Sequence, residues 1–85
     1  MSAQRTITAT VTDDAGVSLI GANVLVKEAP TVGTITDIDG SFSLQIPSGG
    51  ATLVISYAGY STKEVPLTAD ANYVVTLAEG QLLEE

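Results

Sequence analysis

Apolar and polar positions alternate with a two-residue period along most of the chain. Ile7, Ala9 and Val11 alternate with Thr6, Thr8, Thr10 and Thr12, the pattern of a half-buried strand rich in β-branched residues. Asp13-Asp14-Ala15-Gly16 then reads as a turn, with a carboxylate able to bond its own backbone and a glycine able to take positive φ. Ala22, Val24 and Val26 form a second inward-facing set, with Leu25 on the opposite face, so this strand is expected to be covered on both sides. Pro30 is expected to end it. A third short strand is predicted over 33–36, followed by a turn over 37–40.

Phe42, Leu44 and Ile46 against Ser41, Ser43 and Gln45 give the cleanest alternation in the chain and a fourth strand. After the loop Pro47-Ser48-Gly49-Gly50, a fifth strand sets Leu53, Ile55 and Tyr57 against Thr52, Val54 and Ser56, until Ala58-Gly59-Tyr60 breaks it. A sixth is predicted over 62–65, stopping at Pro66, and a seventh carries Tyr73, Val75 and Leu77 inward. Seven short strands with turn signals every 8–12 residues predict an all-β fold: a seven-stranded antiparallel Greek-key β-sandwich. No segment sustains a 3.6-residue period, apart from loose helicity after Ala78. The acidic tail 79–85, with Leu82 and Leu83 as its apolar residues, reads as a linker. Met1-Ser2-Ala3-Gln4 has no apolar h-region and reads as an expression remnant or a mature N-terminus left by signal cleavage.

Composition narrows the chemistry. Eighty-five residues form one domain with a thin core. The chain has no cysteine and no histidine, which removes disulfides, thiolate metal sites, the usual general base and the usual nucleophile activator. Ten carboxylates face only Arg5, Lys27 and Lys63, for a net charge of −7. Three scattered cations cannot track a phosphate backbone, and the negative charge repels an anionic membrane. Nucleic acid and direct membrane insertion are therefore not expected. No apolar run reaches the length needed to span a bilayer as a helix.

The remaining candidates for chemistry are acidic turns and tyrosines. Asp37-Ile38-Asp39-Gly40 suggests a calcium loop, but position 46, where an EF-hand places its glutamate, is Ile46. The structural alternative explains each residue: Asp37 and Asp39 cap turn amides, Gly40 supplies positive φ and Phe42 enters the core. Asp13 and Asp14, adjacent in a strand-end turn, point different ways and are read as solvated rather than as an acid–base pair. The glycines match no phosphate-binding pattern. Tyr57 and Tyr73 are in phase with apolar neighbours and are expected in the core, whereas Tyr60 packs over a sandwich edge or stays exposed. The expected catalytic, cofactor and metal residues are none. The structural signature is Asp37, Asp39, Gly40, Phe42, Tyr57, Gly59 and Tyr60. Open edge strands are also able to accept an extended partner segment.

Three blocks, T-V-T-D-D-A-G-V-S-L-I-G-A-N-V-L-V-K over 10–27, G-T-I-T-D-I-D-G-S-F-S-L over 33–44 and L-V-I-S-Y-A-G-Y over 53–60, resemble the carboxypeptidase regulatory-like domain. More narrowly, they resemble the N-terminal extension of SusC/RagA-type TonB-dependent outer-membrane transporters of Bacteroidetes. The resemblance covers residues 5–78. It implies a transthyretin-like (prealbumin-like) sandwich without enzymatic activity or cofactor, on the periplasmic side of the outer membrane. It also implies a parent barrel with a lipoprotein partner, importing glycans or peptides, and docking or spacing near TonB or another periplasmic protein. Leu83-Glu84-Glu85 resembles the lead-in to a TonB box, so 79–85 is expected to run toward one. Ala9 and Glu28-Ala29-Pro30 depart from the family pattern, the latter leaving that loop's shape open. The alternative from another class is a structural or carbohydrate-binding sandwich module of a secreted or surface protein.

Overall fold

A computed structural model describes residues 5–79. Residues 1–4, read above as a remnant or mature N-terminus, and the tail 80–85 with its Leu-Glu-Glu ending, read as a linker toward a TonB box, lie outside these described residues. Among the described residues seven strands form, β1 (Arg5–Asp13), β2 (Asn23–Val26), β3 (Ala29–Ile35), β4 (Ser41–Ile46), β5 (Thr52–Ser56), β6 (Lys63–Pro66) and β7 (Asn72–Leu77). They assemble into a three-stranded sheet of order β4-β1-β7 and a four-stranded sheet of order β3-β2-β5-β6. The chain moves from one sheet to the other after β1, β3, β4 and β6, whereas β2–β3 and β5–β6 stay within the four-stranded sheet. The inward positions of both sheets meet in one core: Ile7, Val11, Leu44 and Leu77 from the first face Val24, Val26, Leu53 and Ile55 from the second. Leu19 and Ala22, from the β1–β2 connection, close the core at one end.

Four expectations need correction. The sandwich is antiparallel in its other pairings, but β1 and β7 run parallel, with Ala9 opposite Tyr73 and Asp13 opposite Leu77. Parallel pairing of the first and last strands leaves no local sequence trace, because its partners lie more than sixty residues apart. Pro30 does not terminate β2, which ends at Val26; it is the second residue of β3, which starts earlier than the alternation suggests. The ladder shifts register there, so that Val26 pairs with Ala29 while Leu25 pairs with Gly33. Pro30 lies in the residues left over by that irregularity on an edge strand, where no amide is asked to donate to a ladder. Tyr57 lies one residue beyond β5, half-buried against the core. Ala78 and Glu79 are not helical: Glu79 bridges Tyr60, and Ala78 accepts from Ser61 N–H at 2.9 Å.

Edge exposure is limited in several places. Pro30 and the bulge interrupt β3, and Pro66 ends β6. Lys63 Nζ donates to Thr76 O on the free side of β7. Lysine, proline and bulges are standard means of discouraging edge-to-edge pairing.

Candidate functional site

Two turns of the same design stand side by side at one end of the sandwich. In the first, Asp13 Oδ1 accepts from Ala15 N–H and Val17 N–H, both at 2.9 Å. Gly16 N–H closes onto Asp13 O at 3.0 Å, and Gly16 has φ +86°. In the second, Asp37 Oδ1 accepts from Asp39 N–H at 2.9 Å and Ser41 N–H at 3.0 Å, Gly40 N–H closes onto Asp37 O at 2.9 Å, and Gly40 has φ +74°. Each D-x-x-G segment therefore uses one carboxylate oxygen to satisfy two amides of a tight turn, and a glycine to reverse the chain. The second turn departs from expectation in one respect: Asp37 does the capping alone, and the exposed Asp39 side chain makes no hydrogen bond among the described residues.

Thr36 locks the two connections together. It is only 3% exposed, a buried polar residue that must find partners. Its Oγ1 donates to Leu19 O at 2.6 Å and accepts from Ala22 N–H at 2.8 Å. Thr36 N–H donates to Ala22 O at 3.0 Å, and Gly21 N–H donates to Thr36 O at 3.1 Å. Gly40 nests against the same segment: a Cβ there would lie 2.8 Å from Val11 O and 2.9 Å from Ser18 Cβ. Phe42, two residues on, is buried. Threonine at a strand end is unremarkable in sequence, and the one local signal for Thr36 is its position directly before D-x-x-G.

The other signature residues sit at the same end. Tyr60 N–H closes a turn onto Tyr57 O at 2.9 Å, with Gly59 at φ +86°. The Tyr57 and Tyr60 rings lie 5.6 Å apart at 54°, a tilted aromatic contact. Burial, then the negative charges of Asp13, Glu79 and Asp14, push the Tyr60 phenol above its ordinary pKa. Tyr73 is at the other end, where its hydroxyl accepts from Thr68 N–H at 2.9 Å.

The end carrying both D-x-x-G turns is also where apolar side chains reach solvent. Five large hydrophobic residues are exposed among the described residues, and four of them, Val17, Ile20, Ile35 and Ile38, belong to these connections or to the last residue of β3. The fifth, Val74, is 79% exposed on the outer face of β7. There it borders a shallow groove of about 480 Å³ whose walls include Thr8, Thr10, Ser41, Ser43 and Asn72, with Asp37 also lining it. Thr8 Oγ1 donates to Asn72 Oδ1 between the neighbouring strands β1 and β7. Among the described residues, no three acidic, histidine or cysteine side chains gather as metal ligands.

Comparison with known proteins places this architecture. TonB-dependent receptor SusC of Bacteroides thetaiotaomicron is 42% identical over 82 residues, 96% of this chain. TonB-dependent receptor P39 of Formosa agariphila is 40% identical over the whole chain. A third relative, another TonB-dependent receptor of Formosa agariphila, is 33% identical over 92% of the chain. These relatives are named as receptors, not enzymes, and the chain spans only 8% of the length of each. The family model described as the CarboxypepD_reg-like domain matches residues 7–85, nearly the full length. With two β-sheets packed on one core and the D-x-x-G turns within the matched region, this chain belongs to the CarboxypepD_reg-like domain family.

Proposed function

We propose that the chain is a non-catalytic accessory domain of a TonB-dependent outer-membrane transporter of glycans or peptides, held on the periplasmic side. There it spaces the receptor from the energy-transducing machinery or docks it onto that machinery. The observation that carries this reading is that 96–100% of the chain aligns, at 40–42% identity, with a short segment of TonB-dependent receptors. Asp37, Gly40, Phe42, Tyr57, Gly59 and Tyr60 then serve architecture, and Asp39 is left free for contact. TonB or another periplasmic protein is the partner in this reading; the parent barrel and its lipoprotein select the substrate. Deleting the domain from the full-length parent receptor tests it. The receptor should remain in the outer membrane and bind its substrate while energised uptake falls. Unchanged uptake, or loss of the receptor from the membrane, would refute the role.

One observation favours a second reading, a carbohydrate-binding module: the groove between β4 and β7 is lined by hydroxyl and amide side chains. Titrating a glycan panel against the chain, with amide shifts of Thr10 and Ser43 as the readout, separates the two. Shifts confined to the groove would favour binding, and none across the panel would remove it.

A further inference from the structure

We infer that the end of the sandwich built by the two D-x-x-G turns is a protein-docking surface whose partner presents apolar side chains flanked by lysine or arginine. This names the partner chemistry for the docking role proposed above and rests on that reading for its biological setting. The physical case begins with exposure. Ile38 is 77% exposed, Ile35 59%, Val17 59% and Ile20 53%. Burial of such residues is normally favourable, and several gathered on one part of a small domain mark an interaction site.

The bonds through Thr36 keep Ile20, Ile35 and Ile38 together. Because Thr36 ties to Leu19, Gly21 and Ala22, Ile20 and Ile35 leave adjacent backbone, and Ile38 follows two residues later. The turns also hold the spacers rigid. In Asp37-Ile38-Asp39-Gly40 the first and last residues build the loop, so the middle two are presented outward without being needed by it.

Charge decides what covers the surface. Asp13, Asp14, Asp37 and Asp39 lie in the same two turns. The three cations already have partners: Arg5 donates to Thr68 O and Asp70 O at the far end, Lys27 pairs with Glu64 at 3.0 Å, and Lys63 bonds Thr76 O, whose β1 neighbour Thr12 precedes Asp13. A second copy would bring the same carboxylates on a chain of net charge −7. The chain's own residues 80–85 offer Leu82 and Leu83 but add Glu84 and Glu85. Both occupants meet like charge. A cationic, apolar-tipped polypeptide meets complementary charge around an apolar centre, the arrangement that speeds encounter and fixes register.

Amide chemical shifts of the isotope-labelled 85-residue chain, titrated with three short peptides of equal length, test this. One alternates leucine with lysine, one leucine with glutamate, and one serine with lysine. The lysine–leucine peptide should shift amides of 13–22 and 35–40, the glutamate–leucine peptide none, and the serine–lysine peptide few. Ile38→Asp should weaken the lysine–leucine peptide about tenfold or more, as removal of a central apolar anchor does. Its unfolding temperature should stay that of the parent chain, since the side chain is exposed. Shifts in the Thr8–Val74 groove, equal binding of the acidic peptide, or unchanged affinity for Ile38→Asp would overturn the inference. So would concentration-dependent dimerisation lost in Ile38→Asp, or stronger peptide binding when the chain is cut after Glu79, which would assign the surface to a second copy or to the tail. None of these readouts depends on transport, so failure of the surface and failure of the transporter reading are separable.

Discussion

Replacing Gly40 with alanine probes how tightly the second turn is seated. Two costs add. At φ +74° a Cβ crowds the backbone, which costs about 1–2 kcal/mol in an L-residue. The same Cβ would lie 2.8 Å from Val11 O, 2.9 Å from Ser18 Cβ and 3.2 Å from Leu19 N. Two of those are backbone atoms of a strand and a bonded connection, so they cannot rotate aside, and the overlap adds about 1–3 kcal/mol. The total is about 2–5 kcal/mol. For 85 residues, roughly 0.05–0.15 kcal/mol per residue gives about 4–13 kcal/mol of stability, so Gly40→Ala removes a large share. Gly49→Ala is the matched control: its φ is +91°, yet a Cβ there meets nothing within 4 Å. It should cost only about 1–2 kcal/mol. Urea unfolding followed by far-ultraviolet circular dichroism, with equal slopes as the check on two-state behaviour, measures both. A Gly40→Ala cost no greater than that of Gly49→Ala would show that the turn has room, and that the packing of Gly40 against Val11 and Ser18 is not a constraint.

Other perturbations separate the polar contributions. Thr36→Val keeps the shape but strands Ala22 N–H and Leu19 O in the interior; it should cost about 2–4 kcal/mol in urea unfolding, and Thr36→Ser no more than about 1 kcal/mol. Asp37→Ala removes one acceptor of two amides and should cost about 1–2 kcal/mol, with Asp37→Asn recovering part of it and Asp39→Ala staying within about 0.5 kcal/mol. Tyr60 should ionise above the ordinary phenol range in an absorbance titration, and that late phase should vanish in Tyr60→Phe. Its folded pKa lies above the unfolded one, so as pH rises past about 10 the unfolded chain releases this proton first and stability falls. Asp14→Asn should move the late phase toward lower pH, because Asp14 is one of the charges raising it.

Alternation made the strands legible because it is imposed by the pleat itself: residues inward on β1, β4 and β5 are the apolar ones the period selects. Pairing was less legible. β1 takes β4 on one side and β7 on the other, and nothing in the Thr-rich outer face of β1 distinguishes a parallel neighbour from an antiparallel one. Pro30 misled because proline reads as a terminator, whereas an irregular edge strand accommodates it. The turns were readable from D-x-x-G, but not that Asp37 alone does the capping or that Thr36 joins two connections far apart in sequence. Such a bond depends on the packing of Leu19 and Ala22 into the core end, which no local pattern encodes.

The division of labour inside Asp37-Ile38-Asp39-Gly40 bears on what a sequence match can carry. Asp37 and Gly40 are fixed by hydrogen bonding and by backbone conformation, so any chain folding this way needs an acceptor and a flexible residue there. The Ile38 and Asp39 side chains are exposed, the turn using only the Asp39 amide, and Ile38 pays an exposure penalty for being apolar. The first pair therefore identifies the architecture, while the second is open to selection by a partner. The same split applies at Asp13-Asp14-Ala15-Gly16, where Asp13 and Gly16 build and Asp14 and Ala15 face out. Exchanging Ile38 and Asp39 for serine should leave stability within about 0.5 kcal/mol while abolishing recognition, a separation that a purely architectural loop would not show.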